Sequence, residues 1–159
     1  MQKLRLAVAP LRILLGLLFA ALVMLQTFSL PGQFAHMAKE DPDQAYLRWP
    51  SLAVSVLVLL CGQVVIVCTW KLLTMVEDDR IFSKGSLRWV DAILWAIAAG
   101  WALLAGVFVY AGFTADDPGG LVVLMVILLG GAVLGLLMLV MRALLGQATT
   151  LRTDMEEVI

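Results

Sequence analysis

The chain has 159 residues, 62% of them hydrophobic and 14% charged, with a formal net charge of −1 and a mean hydropathy of +0.99. A water-soluble domain of this size needs far more polar surface to cover its core, so a soluble fold is excluded. There is no broad basic surface for direct nucleic-acid binding. Four spans of about 20 residues each leave no length for a separate catalytic module.

The expected fold is an all-α integral membrane protein. A single four-helix membrane domain covers residues 1–159, with both termini cytoplasmic and the fourth helix extended into a cytoplasmic amphipathic tail. The first span is residues 10–30, with a helical lead-in from Leu4. Lys3 and Arg5 precede it as they would in a secretory signal. The run exceeds an h-region of roughly 7–15 residues, and no small-x-small site follows, so it reads as a retained helix.

An outer connection, residues 31–50, comes next. Within it Asp41-Pro42-Asp43-Gln44 reads as a helix start, with Asp41 as cap, Pro42 at the first helical position and Gln44 as capping-box partner. A short surface helix ending near Trp49 is predicted. His36, the sole histidine, and Glu40, Asp41, Asp43, Asp116 and Asp117 all fall on this outer side. The acids read as turn formers and caps before they read as a cation site.

The second span is residues 51–76, and Trp49 and Trp70 stand 21 residues apart, about 32 Å on a helix. That is the separation of the two aromatic belts. Cys61 and Cys68 lie here, roughly 10 Å apart along one helix and too distant to bridge, and they read as apolar filler. The inner loop, residues 77–85, sets Ile81 and Phe82 amid charge. The third span, residues 86–113, carries its own belt pair, Trp89 and Tyr110. An outer turn, residues 114–120, is built on Asp-Asp-Pro-Gly-Gly, and the fourth span is residues 121–141.

Of the lysines and arginines, nine fall on the termini-and-inner-loop side and two on the other. This positive-inside bias puts both ends of the chain in the cytoplasm. Gly131 and Gly135 form a G-x-x-x-G on the fourth span, read first as close packing within one bundle and second as a homodimer face. Asp91 lies one turn into its helix, with Arg88 three residues before it and Arg142 at the matching depth of the fourth span. The three read as an ion pair at the inner boundary, with proton or ion handling as the alternative. Lys71 is close enough to the inner surface to snorkel, and Gln26 and Gln63 can hydrogen-bond between helices.

The tail, residues 142–159, places Leu144, Ala148, Leu151, Met155 and Val158 at spacings of 4, 3, 4 and 3, an apolar stripe on one helix face. Two heptads are too short to hold a helix alone in water, so the tail must dock on its own loop, a second copy or a partner. Arg80, Ile81 and Phe82 of the loop, with Leu151, Arg152, Met155, Glu156 and Val158 of the tail, form the expected docking surface. Arg80 and Lys84 are the expected counter-charges for the acidic tail end, with a separate basic protein as the alternative.

The Pro31-Gly32 and Asp41-Pro42 elements, the Arg80-Ile81-Phe82-Ser83 segment and above all the tail from Gln147 to Ile159 resemble the DUF2975 family of bacterial four-helix membrane proteins of unknown function. The resemblance covers essentially the whole length. It implies the inner membrane of a bacterium and a cytoplasmic helix-turn-helix regulator as partner, and it supplies no catalytic residue. No H-E-x-x-H, Cys/His cluster, G-x-S-x-G or phosphate loop occurs, so neither enzyme nor cofactor is expected. The leading expectation is a regulatory or sensing module whose inner loop and tail dock a cytoplasmic partner. An oligomeric pore or transport subunit is the alternative, weakened by the lack of a polar stripe along any span.

Overall fold

The computed structural model describes residues 2–114, 116 and 118–158, without the side chains of Gln2 and Gln44. Asp117, Ile159 and the capping role expected of the Gln44 side chain therefore lie outside the described residues. The elements are α1 (Gln2–Met24), a π-helical turn (Leu25–Ser29), α2 (Leu30–Glu40), a 3-10 turn (Pro42–Leu47), α3 (Arg48–Glu77), α4 (Lys84–Thr114) and α5 (Pro118–Val158). Four helical runs are long and apolar enough to cross a membrane: Lys3–Glu40, Ala45–Glu77, Lys84–Thr114 and Pro118–Val158.

The first run corrects the expected connection. A break is predicted at Pro31, because proline lacks an N–H and its ring meets the carbonyl one turn back. Instead the helix widens over Leu25–Ser29, and the Leu30 N–H donates to the Leu25 carbonyl. Pro31 then falls in the first turn of α2, where a missing donor costs little, and the helix continues to Glu40. Asp41, expected to cap the following helix, makes no side-chain cap hydrogen bond. It ends α2 with its backbone at φ −119° and ψ 84°, donating its N–H to the Met37 carbonyl at 3.0 Å. Pro42 does open the next turn.

The helices form an open, antiparallel bundle in which α4 packs between α3 and α5, and α1 packs chiefly on α3. The seam between α3 and α4 is the best-covered part. Gln63, Ile66 and Cys68 are buried on α3, and Ser86, Val90, Ile93, Ala96 and Gly100 on α4. The α4 set recurs every three or four residues, one face of a helix. Gly100 faces α3, where a β-carbon would meet the Cys61 Cβ at 3.5 Å, an ordinary contact. Both cysteines are free. On α5, by contrast, Thr149 is the buried residue and the outward face is a continuous run of valine, leucine and methionine. Such a face suits acyl chains, which are as apolar as leucine.

Gln26 and Gln63 meet across α1 and α3. Gln63 Nε2 donates to Gln26 Oε1 at 3.0 Å, and Gln26 Nε2 donates to the Val56 carbonyl at 3.3 Å. The π-helical turn holds Gln26 at that position. Interhelical bonds of this kind are worth about 0.6 kcal/mol on average and under about 2. Gln26→Leu and Gln63→Leu should each destabilise the protein by about 1 kcal/mol, and the double variant by less than the sum. A double-mutant cycle in detergent reads the coupling, and strict additivity would rule the bond out.

Candidate functional site

At one end of the bundle the α3–α4 loop, the last four turns of α5 and the start of α1 converge. The geometry starts from how α3 stops. Arg80 N–H donates to the Met75 carbonyl at 2.8 Å and Asp79 N–H to the Val76 carbonyl at 3.2 Å, the paired bonds of a Schellman motif. That motif needs a left-handed residue, and Asp79 supplies it at φ 54°. Glycine is the usual occupant; an L-residue there costs roughly 1–2 kcal/mol, less for aspartate, whose short polar side chain bonds locally.

Retaining a carboxylate at this strained position gives α5 an anchor. Arg152 Nη1 donates to the Asp79 carbonyl at 3.3 Å, and its Nη2 lies 3.8 Å from Asp79 Oδ2. Its Nε lies 3.6 Å from Glu156 Oε1, one turn on, and its guanidinium sits 6.0 Å from the centre of the Phe82 ring. One side chain thus binds loop to tail by charge, hydrogen bond and cation–π contact. Ser86, fully buried, fixes the far side of the loop. Its hydroxyl donates to the Ser83 carbonyl at 2.7 Å and also contacts the Ile81 carbonyl.

Of the eight expected docking residues, Arg152, Glu156 and Phe82 meet in this cluster. Arg80 lines the adjoining hollow of about 350 Å³ with Lys84 and Thr153. Among the described residues neither Arg80 nor Lys84 pairs with a tail acid. This corrects the expected polarity: the tail contributes the cation and the loop the anion. The stripe is also turned. Ala148, Thr149 and Arg152 face the protein, while Leu151, Met155 and Val158 are 63%, 69% and 88% exposed. Ile81 is half-buried.

Arg142 Nε and Nη2 both donate to the Asp91 carboxylate, the latter at 3.2 Å, so α5 is forked onto α4. Arg88, expected to share this carboxylate, is exposed and makes no contact with it among the described residues. Gly131 and Gly135 face α4. A β-carbon at 131 would meet Trp101 Cδ1 at 3.1 Å, and one at 135 would meet Ile97 Cγ2 at 3.7 Å. Gly131 lets the Trp101 ring reach the α5 backbone, where its Nε1 donates to the Leu128 carbonyl at 2.9 Å. Both glycines thus face α4, and both also line the open hollow between α4 and α5.

Sequence reasoning missed a clamp on α1. Arg12 Nη2 lies 2.8 Å from Glu77 Oε2 and donates to Thr74 Oγ1 at 3.0 Å, and its guanidinium is 5.8 Å from the Trp70 ring centre. The signal was Arg12 itself, a charge inside an apolar run, where charges rarely go unpaired. His36 sits on α2 with Nδ1 3.4 Å from Glu40 Oε1, and both side chains are largely exposed. Among the described residues no three His, Cys, Asp or Glu side chains gather to hold a metal ion.

A family model described as a protein of unknown function, DUF2975, matches residues 32–159. No curated protein and no solved structure matches the chain.

Proposed function

The chain belongs to the DUF2975 family, whose description assigns no activity, and from that footing we propose a non-enzymatic regulatory or sensing module of a bacterial inner membrane. Its 78–83 loop and α5 tail dock a cytoplasmic partner, for which the family resemblance favours a helix-turn-helix regulator. Both termini lie in the cytoplasm in this reading, because Arg12, Arg80, Lys84, Arg142 and Arg152 all belong to one end of the bundle.

The observation that carries the reading is the exposure of Leu151, Met155 and Val158 on a helix too long for the bilayer. At 41 residues α5 is about 62 Å long, against roughly 30 Å of hydrocarbon. Its polar residues, from Gln147 to Glu157, gather at the C-terminal end, so that end stands in water. There an apolar stripe beside Phe82 is costly uncovered, and a partner helix laid on it removes the cost. Arg152 keeps the stripe in fixed register with the loop.

A photo-crosslinking residue at Leu151 or Met155 of the full-length protein tests this in cells. Adducts with a cytoplasmic protein are expected. They should fall by about tenfold with Arg152→Glu, which sets like charge against Asp79 and Glu156, on the scale of losing one interface anchor. They should be absent with the crosslinker at Val133. Partner recovery that survives removal of residues 147–159, or adducts with lipid alone, would overturn the proposal.

A further inference from the structure

The outer face of the α4–α5 pair holds a groove of about 650 Å³. It opens sideways, toward acyl chains. Leu94, Trp95, Ala98, Leu136 and Leu139 line it, Trp101 and Gly131 mark one end, and the Asp91–Arg142 pair marks the other. Apart from that pair its walls are apolar, and the Trp101 N–H is already committed to Leu128.

Two lengths fit this groove to a single leaflet. Asp91 to Trp101 is ten residues, about 15 Å on a helix, or half of a hydrocarbon layer of roughly 30 Å. Asp91 also stands two residues from Trp89, and Trp89 and Tyr110 are spaced like the two aromatic belts. Arg142 is 24 residues from the start of α5, about 36 Å, which again puts the pair at the headgroup boundary. The groove therefore runs from headgroup level to mid-bilayer, the space one phospholipid chain occupies.

The chemistry of the pair then selects the headgroup. Arg142 uses Nε and Nη2 on Asp91, and its Nη1 donates to no protein group among the described residues. Each Asp91 oxygen accepts one of these bonds and keeps a further lone pair. The side chains are 45% and 39% exposed, so both are within reach of a ligand. Side by side they present free donors on a cation and free acceptors on an anion. A phosphodiester, which only accepts, fits Arg142, and a primary ammonium, which only donates, fits Asp91.

We propose that this groove is a phospholipid site selective for the phosphoethanolamine headgroup, with the phosphate on Arg142, the ammonium on Asp91 and one acyl chain along Trp95 and Leu136. Phosphatidylcholine matches the phosphate but has no N–H to give Asp91. Phosphatidylglycerol has no cation and brings its charge against a carboxylate.

The test is native mass spectrometry of the delipidated full-length protein, exposed to equal mole fractions of phosphatidylethanolamine, its N-methylated series, phosphatidylcholine and phosphatidylglycerol. Retention should be about tenfold higher for phosphatidylethanolamine than for phosphatidylcholine, the worth of one charge-assisted hydrogen bond. It should fall with each methyl added to the amine. Asp91→Asn should abolish the preference over phosphatidylglycerol, while Lys39→Gln, on the opposite side of the bundle, should leave it intact. Equal retention of choline and ethanolamine lipids, a preference for phosphatidylglycerol, or a lipid-free dimer covering the groove would overturn the site. The headgroup series on the unaltered chain decides even where a variant does not fold.

Discussion

Gly131→Leu should lower the stability of the protein in detergent by roughly 3 kcal/mol, summing the overpacking of a filled contact and a lost hydrogen bond. A β-carbon at 131 already stands 3.1 Å from Trp101 Cδ1, and a planar ring held by its Nε1 bond to Leu128 cannot give way without breaking that bond. The neighbours make the prediction sharp. Gly135→Ala meets only Ile97 Cγ2 at 3.7 Å, an ordinary contact, and Gly130→Ala meets nothing within 4 Å. Neither should destabilise the protein by more than about 0.5 kcal/mol, since alanine favours the helix over glycine. Equal losses at 130 and 131 would show that the glycine face looks somewhere other than α4.

Arg12→Leu should cost about 2–3 kcal/mol, and the damage should be confined to α1. The variant keeps an apolar side chain but removes the 2.8 Å pair with Glu77, the bond to Thr74 and the stacking on Trp70. Hydrogen bonds to a charged group are worth about 1.5–3 kcal/mol, and a partly desolvated cation–π contact about 1. Because α1 packs chiefly on α3, loosening should appear as faster hydrogen exchange in α1 while α3, α4 and α5 stay protected. Arg12→Lys should recover about half the loss, keeping the charge without the planar fork. Exchange rising evenly across all four helices would mean that Arg12 acts through something other than this clamp.

Much of the architecture was legible because lipid permits few solutions. A polar side chain in an apolar run must find a partner, and Gln26 has one facing it in Gln63. Asp91 and Arg142 were placed at matching depths by counting residues from the turns, and they meet. What could not be read is phase and local winding. Counting α-turns through Pro31 predicts an end at Leu30, since a π-helical turn leaves no mark in composition. Heptad spacing gave the tail stripe its period but not the direction it faces. That direction is set by Arg152 finding Asp79, 73 positions away in sequence, at a left-handed backbone no local rule assigns to aspartate. Arg88 misled because an i, i+3 neighbour looks as good on paper as a fork from another helix.

The uninterrupted course of α5 has a mechanical consequence. Val158 lies 16 residues past Arg142, about 24 Å along a rod without a hinge. If the Asp91–Arg142 fork is the pivot, a tilt of about 10° in the membrane sweeps the far end through about 4 Å, nearly one helical turn's pitch. In the proposed sensing role, a change in bilayer thickness or side pressure that tilts α5 would thus be geared up into a displacement of the tail in water. Among the described residues, the side-chain contacts resisting that sweep include those of Arg152 on Asp79 and Phe82, which are of surface strength and which a modest force can slip.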